Sequence, residues 1–397
     1  MAKALDNVKV LDFSRMYAGP FCTMILRDLG AEVIKIEIPD GGDGVRTMPP
    51  LTHGGESYIF INLNRGKQGI TLNLDSEKGR EITQELVRKV DVVVENFTPG
   101  VMDRLGLGYK ELEKINPGLI YASLSGFGHT GPRHSQPAFD TVAQAMGGFM
   151  SITGFPDGPP TKAGPAVADL LSGVYGTVSI LAALHHRERT GEGQHIDISM
   201  QDCMWAITAI QFAPQYFLTG EVPQRLGNRQ IELTPFNVYP AKDGSVVVAI
   251  VTVGQWQNLL RVIGREDLLG VEKYATQVER MKRWQEADAL VEEWTKVRSV
   301  REIINTLNKA DLPCSPVPAF DEVANDAQLL SREMVIEVEQ LLSGNLKVPG
   351  SVFKLSKTPG DVRYPAPFLG EHNYEIYCNL LGYSEQEINK LAEDGII

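Results

Sequence analysis

The chain has 397 residues, 43% hydrophobic and 22% charged, with a formal net charge of -12. That length exceeds what a single core usually fills, so two domains are expected, and the negative charge argues against a nucleic-acid partner. There is no run of 18 uncharged apolar residues, the four cysteines (Cys22, Cys203, Cys314, Cys378) stand far apart, and residues 1–6 lack a signal-peptide core. The expectation is a cytoplasmic protein with no membrane span, disulfide framework or zinc site.

Residues 8–13 are β-branched and apolar and read as a strand. Pro20 suits a first helical position, and Phe21, Met24, Ile25, Leu26 and Leu29 recur at helical spacing before Gly30. A second strand over 31–37 completes a βαβ unit, which implies a parallel sheet. Residues 58–62 and 69–74 read as two further strands, and 77–89 as an amphipathic helix with Ile82, Leu86 and Val90 on one face. A buried strand, 92–97, ends in Asn96-Phe97-Thr98-Pro99-Gly100. Ligands of open α/β sheets sit at the carboxyl ends of strands, which pairs the turns at 15–19 and 96–100 as candidates. Cations concentrate in this first third (Arg15, Lys35, Arg46, Arg65, Lys67, Arg104), where an anionic ligand would need them.

After a strand at 119–124, Gly126-Phe127-Gly128-His129-Thr130-Gly131 matches the dinucleotide fingerprint letter for letter. The fingerprint needs a helix starting inside the glycines, and residues 132–137 are loop chemistry, so nicotinamide or flavin binding is rejected. A helix follows at 140–150, then a Gly/Pro-rich loop at 153–160. Next, the small residues of 163–168 close on Asp169, ahead of an apolar helix over 170–184 that extends to about 189. An aspartate in that place ordinarily caps the helix. The same helix start also offers free N–H groups and partial positive charge where negative charge can build up.

A strand at 195–198 and a long helix at 201–218 come next. From about 225 the texture changes to a hairpin at 237–249 around Lys242-Asp243-Gly244, then amphipathic helices at 254–263, 279–296 and 300–310 and a further helix at 320–330. A strand near 348–353 and a terminal helix pair close the chain. The domains expected are 1–224, 225–324 and a part, 325–397, that returns to the first. The fold class is α/β: a Rossmann-like parallel-sheet large domain plus a smaller α/β domain.

The chain resembles the class III CoA-transferases, of the formyl-CoA transferase and carnitine CoA-transferase type, essentially end to end. The pieces that carry the resemblance include Val10-Leu11-Asp12-Phe13-Ser14 with Ala18-Gly19-Pro20, and Leu29-Gly30-Ala31-Glu32-Val33-Ile34-Lys35-Ile36-Glu37. Others are Val94-Glu95-Asn96-Phe97 with Arg104-Leu105-Gly106, the loop at 153–160, the Asp169 stretch, Thr190-Gly191-Glu192-Gly193-Gln194 and Leu369-Gly370-Glu371-His372. The resemblance implies that Asp169 is a nucleophile. It also implies coenzyme A contacts from Arg15, Tyr17, Ala18, Leu72, Asn96, Phe97, Thr98 and Arg104, with no metal and no redox cofactor. Met16 and the neighbours of Leu72 to Asp75 fall in the same matched regions. Lys35 stands out only through the resemblance and otherwise reads as a solvated strand end. The implied partners are an acyl-CoA and a carboxylic acid acceptor, with two chains interlocked like links in a homodimer, or in a heteromer with a sister subunit. The linkers near 220–225 and 330–346 would close the rings.

The chain departs from the formyl-CoA transferases at Tyr17, Ile38 and Pro137, and no glycine-rich lid is found in its small domain. This points to a larger, less polar acid than formate, with Tyr17 and Phe139 against the acyl group. Succinyl-CoA is the donor suggested by relatives. Two rivals share the fold. An α-methylacyl-CoA racemase wants two bases and a Gly-His-Asp motif, for which this chain has Ala138-Phe139-Asp140. A non-catalytic partner subunit would not need Asp169. His129 and His134 read as solvated loop histidines.

Overall fold

The computed structural model describes residues 3–397; Met1 and Ala2, the start of the segment read for a signal peptide, lie outside them. The chain divides into two compact units. The first comprises Met1–Phe149, Lys162–Glu221 and Ala327–Ile397, and the second comprises Met150–Thr161 and Val222–Asp326. The second unit therefore includes 150–161, a segment the sequence reading keeps in the large domain.

The first unit is built on six parallel strands: β1 (Lys9–Asp12), β2 (Glu32–Glu37), β3 (Gln68–Thr71), β4 (Val92–Glu95), β5 (Ile120–Ser125) and β6 (Gln194–Ser199), in the order 3-2-1-4-5-6. The central strands carry apolar residues at successive positions because alternate residues feed opposite faces, both of them covered. Leu11, Ile34, Ile70, Val93 and Tyr121 pack with Ile82 and Leu86 of the helix Glu77–Val87. Val10, Val33, Val92, Ala122 and Leu124 pack instead with Cys22 and Leu26 of the helix Ala18–Asp28 and with Ile180 and Leu184 of the helix Val167–Thr190. The strand order reverses between β1 and β4, so the loops leaving those two strands border one crevice.

The helix Val167–Thr190 is the one described helix long and apolar enough to cross a membrane by length and composition. Here it is a core helix, burying Gly173, Gly176, Ile180, Ala183 and Leu184 against the sheet and the helix Ala18–Asp28. A Cβ on Gly173 would come within 2.9 Å of the Ala18 carbonyl oxygen, so glycine is what permits the close crossing.

Several sequence expectations change. Residues 58–62 are not a strand: Ser57 caps a helix over Tyr58–Asn64 through its hydroxyl, and tertiary packing of Phe60 and Ile61 overrides their β-propensity. The expected linker at 330–346 contains most of an antiparallel hairpin, β10 (Val335–Gln340) with β11 (Gly344–Pro349), and the strand expected near 348–353 is the end of that hairpin. The helix expected over 320–330 is two short ones, Phe320–Ala324 and Ala327–Ser331. Residues 140–150 likewise divide, into Asp140–Met146 and a turn of helix at Phe149–Ile152. The glycine run at 126–131 starts no helix. The motif at Leu369–His372 lies along the outer edge of the sheet, where the His372 amide donates to the Gly69 carbonyl and Asn373 takes the Thr71 amide.

The second unit holds a three-stranded antiparallel sheet, β7 (Phe236–Ala241), β8 (Gly244–Ala249) and β9 (Cys314–Pro316). Helices Val253–Val262, Trp284–Thr295 and Val300–Lys309 bury Trp256, Leu259, Val291, Trp294, Ile303 and Leu307 against it.

Candidate functional site

Asp169 is the third residue of the helix Val167–Thr190, inside its first turn and not at the cap. The cap position is Ala166, whose methyl cannot accept a hydrogen bond, and the carboxylate that serves the helix start comes from elsewhere. Asp140 Oδ1 accepts from the Ala168 amide at 2.8 Å, and Asp140 Oδ2 accepts from Gln144 Nε2 at 2.6 Å. Gln144, fully buried, takes the Ala163 amide on its Oε1 at 2.9 Å, so two hydrogen-bonded side chains, Gln144 and Asp140, tie the two ends of the small-residue stretch. Asp140 can reach that place because of Gly126: a Cβ there would stand 2.3 Å from that of Ala138. The glycine that imitates a nucleotide fingerprint is a packing device.

A cavity of about 370 Å³ opens beside Asp169. Its lining brings together Arg15, Tyr17, Ala18, Asn96, Phe97, Phe139 and Asp140, residues that the sequence spreads over 125 positions. Burial, and then the negative charge of Asp140, raise the Asp169 carboxyl to about 7. Burial also raises the Tyr17 phenol, and the charge of Asp169 adds to it, so the two side chains face one another electrostatically. Arg15 stacks its guanidinium over the Phe97 ring at 4.8 Å. Asn96 fixes the same turn through both ends of its amide, taking the Arg15 N–H and donating to the Arg15 carbonyl, each at 2.8 Å. A Cβ on Gly164 would meet nothing within 4 Å, so the small residues ahead of Asp169 border open space.

Three of the expected contacts lie apart from this cavity. The Leu72 side chain is fully buried in the core, and its N–H is given to the Glu37 carbonyl. Thr98 lines a separate cavity of about 560 Å³ on the other side of the 96–100 turn, and Arg104 is exposed on the short helix Val101–Arg104. That second cavity also holds Glu95, His129 and His195. His129 is half-buried and not solvated as read: its amide donates to Asp197 and its Nε2 is 3.8 Å from Glu95 Oε1. Burial raises the Glu95 carboxyl to about 7. His134 is exposed, with Nδ1 on the Gly131 carbonyl.

Four of the six cations named in the first third are spent in internal pairs. Lys35 joins Asp43, Lys67 joins Asp12, Arg65 joins Asp28 and Arg46 joins Glu37, all with little exposure. Lys35, read as a solvated strand end, is fully buried. Burial alone would raise Asp12, but Lys67 and Lys35 hold it below the usual carboxylate range. Sequence reasoning missed Asp140 and Gln144 as anchors and Asp43 as a partner of the first turn. The only sequence signal for Asp140 was its place in Ala138-Phe139-Asp140, and for Gln144 and Asp43 there was none.

The sequence model of CoA-transferase family III matches residues 5–373. A succinyl-CoA:mesaconate CoA-transferase of Haloarcula marismortui is 41% identical over 382 residues, 94% of this chain and 95% of its own length. A formyl-CoA:oxalate CoA-transferase of Streptomyces avermitilis is 37% identical over the whole of both chains. Among solved structures, a CaiB/BaiF family protein from Brucella suis superposes with a TM-score of 0.84 at 37% identity, covering 96% of this chain and 100% of that one.

Proposed function

The chain belongs to CoA-transferase family III and moves coenzyme A from an acyl-CoA to a carboxylic acid, and we propose that it does so through a covalent thioester on Asp169. The observation that carries this is the half-buried Asp169 carboxylate beside an open cavity, at the start of a helix anchored from outside by Asp140. The ionised carboxylate attacks the thioester carbonyl of the donor, forming an acyl-aspartyl anhydride and releasing CoA thiolate. The thiolate attacks the aspartyl carbonyl, leaving β-aspartyl-CoA and the donor acid. The acceptor carboxylate then attacks the aspartyl thioester and expels the thiolate, which cleaves the new anhydride at the acceptor's carbonyl. Product acyl-CoA leaves and Asp169 is restored as a carboxylate, with no proton, metal or electron consumed.

Tyr17 and Phe139 border the acyl group, and Arg15, Ala18, Asn96 and Phe97 flank the coenzyme. Leu72 contributes backbone only, while Thr98 and Arg104 reach the coenzyme's outer end. The 41% identity to a succinyl-CoA-dependent relative supports succinyl-CoA as donor. Four free thiols support a reducing, cytoplasmic setting. Large side chains exposed along the helix Met200–Thr219, among them Ile210, Phe217 and Leu218, support a chain-to-chain assembly of the interlocked kind, either a homodimer or a pairing with a sister subunit.

Trapping tests the mechanism. Protein incubated with succinyl-CoA and then hydroxylamine is expected to carry a hydroxamate on the peptide containing Asp169, and Asp169→Ala to carry none. Label elsewhere would remove Asp169 as the nucleophile, and no label alongside deuterium uptake at the acyl α-carbon would replace the transferase mechanism with a racemase one.

A further inference from the structure

The turn that carries Arg15 and Tyr17 into the cavity is held in a conformation its own sequence disfavours. Met16 sits at φ +64, in the left-handed region where a side chain clashes with the backbone and glycine is the usual occupant. Met16 lines the cavity between the two neighbours that the proposed function places on the coenzyme and the acyl group. Something outside the turn must therefore hold it, since strained conformations persist only where their surroundings over-determine them.

The constraint comes from a buried ion pair one strand away. The Met16 amide donates to both oxygens of the Asp43 carboxylate, at 3.2 and 3.3 Å. Asp43 is itself fixed by three further contacts. Lys35 Nζ lies 3.1 Å from its Oδ2, its amide donates to Glu37 Oε2 at 2.9 Å, and its Oδ1 takes the Val45 amide at 3.1 Å. The side chains of Lys35 and Asp43 have no exposure at all. Lys35 completes the grip from the other side of the turn by donating to the Ser14 carbonyl at 2.9 Å. One ammonium thus supports the carboxylate that holds residue 16 and, directly, the carbonyl of residue 14. A buried unsolvated pair of this kind is poor evidence for stability, but it fixes geometry well.

We propose that Asp43, charged and seated by Lys35, is a positioning residue for CoA transfer, imposing the left-handed turn at Met16 that aims Arg15 and Tyr17 into the Asp169 cavity. Asp43 touches no substrate and acts through the backbone of the turn. The inference rests on the proposed function only for its kinetic readout; the conformational readout stands independently.

The test uses the full-length protein in three forms: Asp43→Asn, Met16→Gly and the double variant. Asp43→Asn keeps the size and one acceptor but loses the charge and one oxygen. It is expected to raise KM for the acyl-CoA at least tenfold with kcat within about threefold, and to speed hydrogen exchange at the Met16 and Tyr17 amides. Met16→Gly relieves the strain, so in the double variant KM is expected to return to within about threefold of the parent. A residue with a merely structural role would lower the active fraction, leave KM alone and gain nothing from glycine at 16. Unchanged exchange at residues 16 and 17 in Asp43→Asn, or no rescue by Met16→Gly, would overturn the proposal. If the unaltered protein transfers no CoA, the proposed function fails instead, and the exchange rates still decide whether Asp43 holds the turn.

Discussion

Replacing Asp169 with asparagine is expected to abolish transfer and to stabilise the protein at neutral and alkaline pH. The carboxyl titrates near 3.8 in an unfolded chain and at about 7 in the folded one, because burial and the charge of Asp140 both oppose ionisation. Between those values the folded protein keeps a proton that the unfolded chain has released. Stability from this group is therefore full below pH ~4 and lost as pH rises through 7. At about 1.4 kcal/mol per unit, a displacement of roughly three units withdraws about 4 kcal/mol above pH 7. Asparagine keeps the shape and carries no charge, so the loss disappears. The gain should be near zero at pH 4, grow through pH 5 and 6, and level off above 7. In melting temperature it amounts to about 5 °C for a chain of this size. Thermal unfolding of both proteins at pH 4.5, 6 and 8 measures it. A difference that stays constant with pH, or a less stable Asp169→Asn at pH 8, would refute the electrostatic reading of the site.

With Asp169 as the proposed nucleophile, the parent's kcat/KM should rise with pH through a limb near 7, as its carboxyl ionises. Asp140→Asn keeps an acceptor for the Ala168 amide but removes the opposing charge, so its limb should move to lower pH; an unmoved limb would show that Asp140 does not act on Asp169. Gly173→Ala puts a methyl 2.9 Å from the Ala18 carbonyl oxygen and should cost about 1–3 kcal/mol of stability, read by denaturant unfolding, because two core helices must separate to admit it.

Asp169 shows how a strong local rule can mislead by a few residues. An aspartate ahead of an apolar run suggests a cap, and a cap is indeed supplied, but by Asp140, 29 residues earlier in the chain, which leaves Asp169 free to face the cavity. Lys35 shows the same for charge. At the end of an apolar strand it looks solvated, and only the loop that brings Asp43 over it makes burial affordable. Residues 58–62 show it for secondary structure, where a Ser57 cap and burial of Phe60 and Ile61 outweigh β-propensity.

What the sequence determined by itself was the repeating logic of the large domain: apolar strands, the first βαβ unit and the glycines and prolines that punctuate it. These are encoded in periods of two and 3.6 residues, which are local properties of the backbone. The end-to-end motifs likewise pointed to the family that residues 5–373 match. What only the tertiary structure decided was which charged residues are spent inside and which face the cavity. Arg15 and Asp169 share a cavity while Lys35, Arg46, Arg65 and Lys67 are consumed in pairs, an outcome set by strand order and loop closure. Charge pairing across 8 to 55 residues has no period for a sequence to display, since it depends on where the chain comes back, not on what lies beside it.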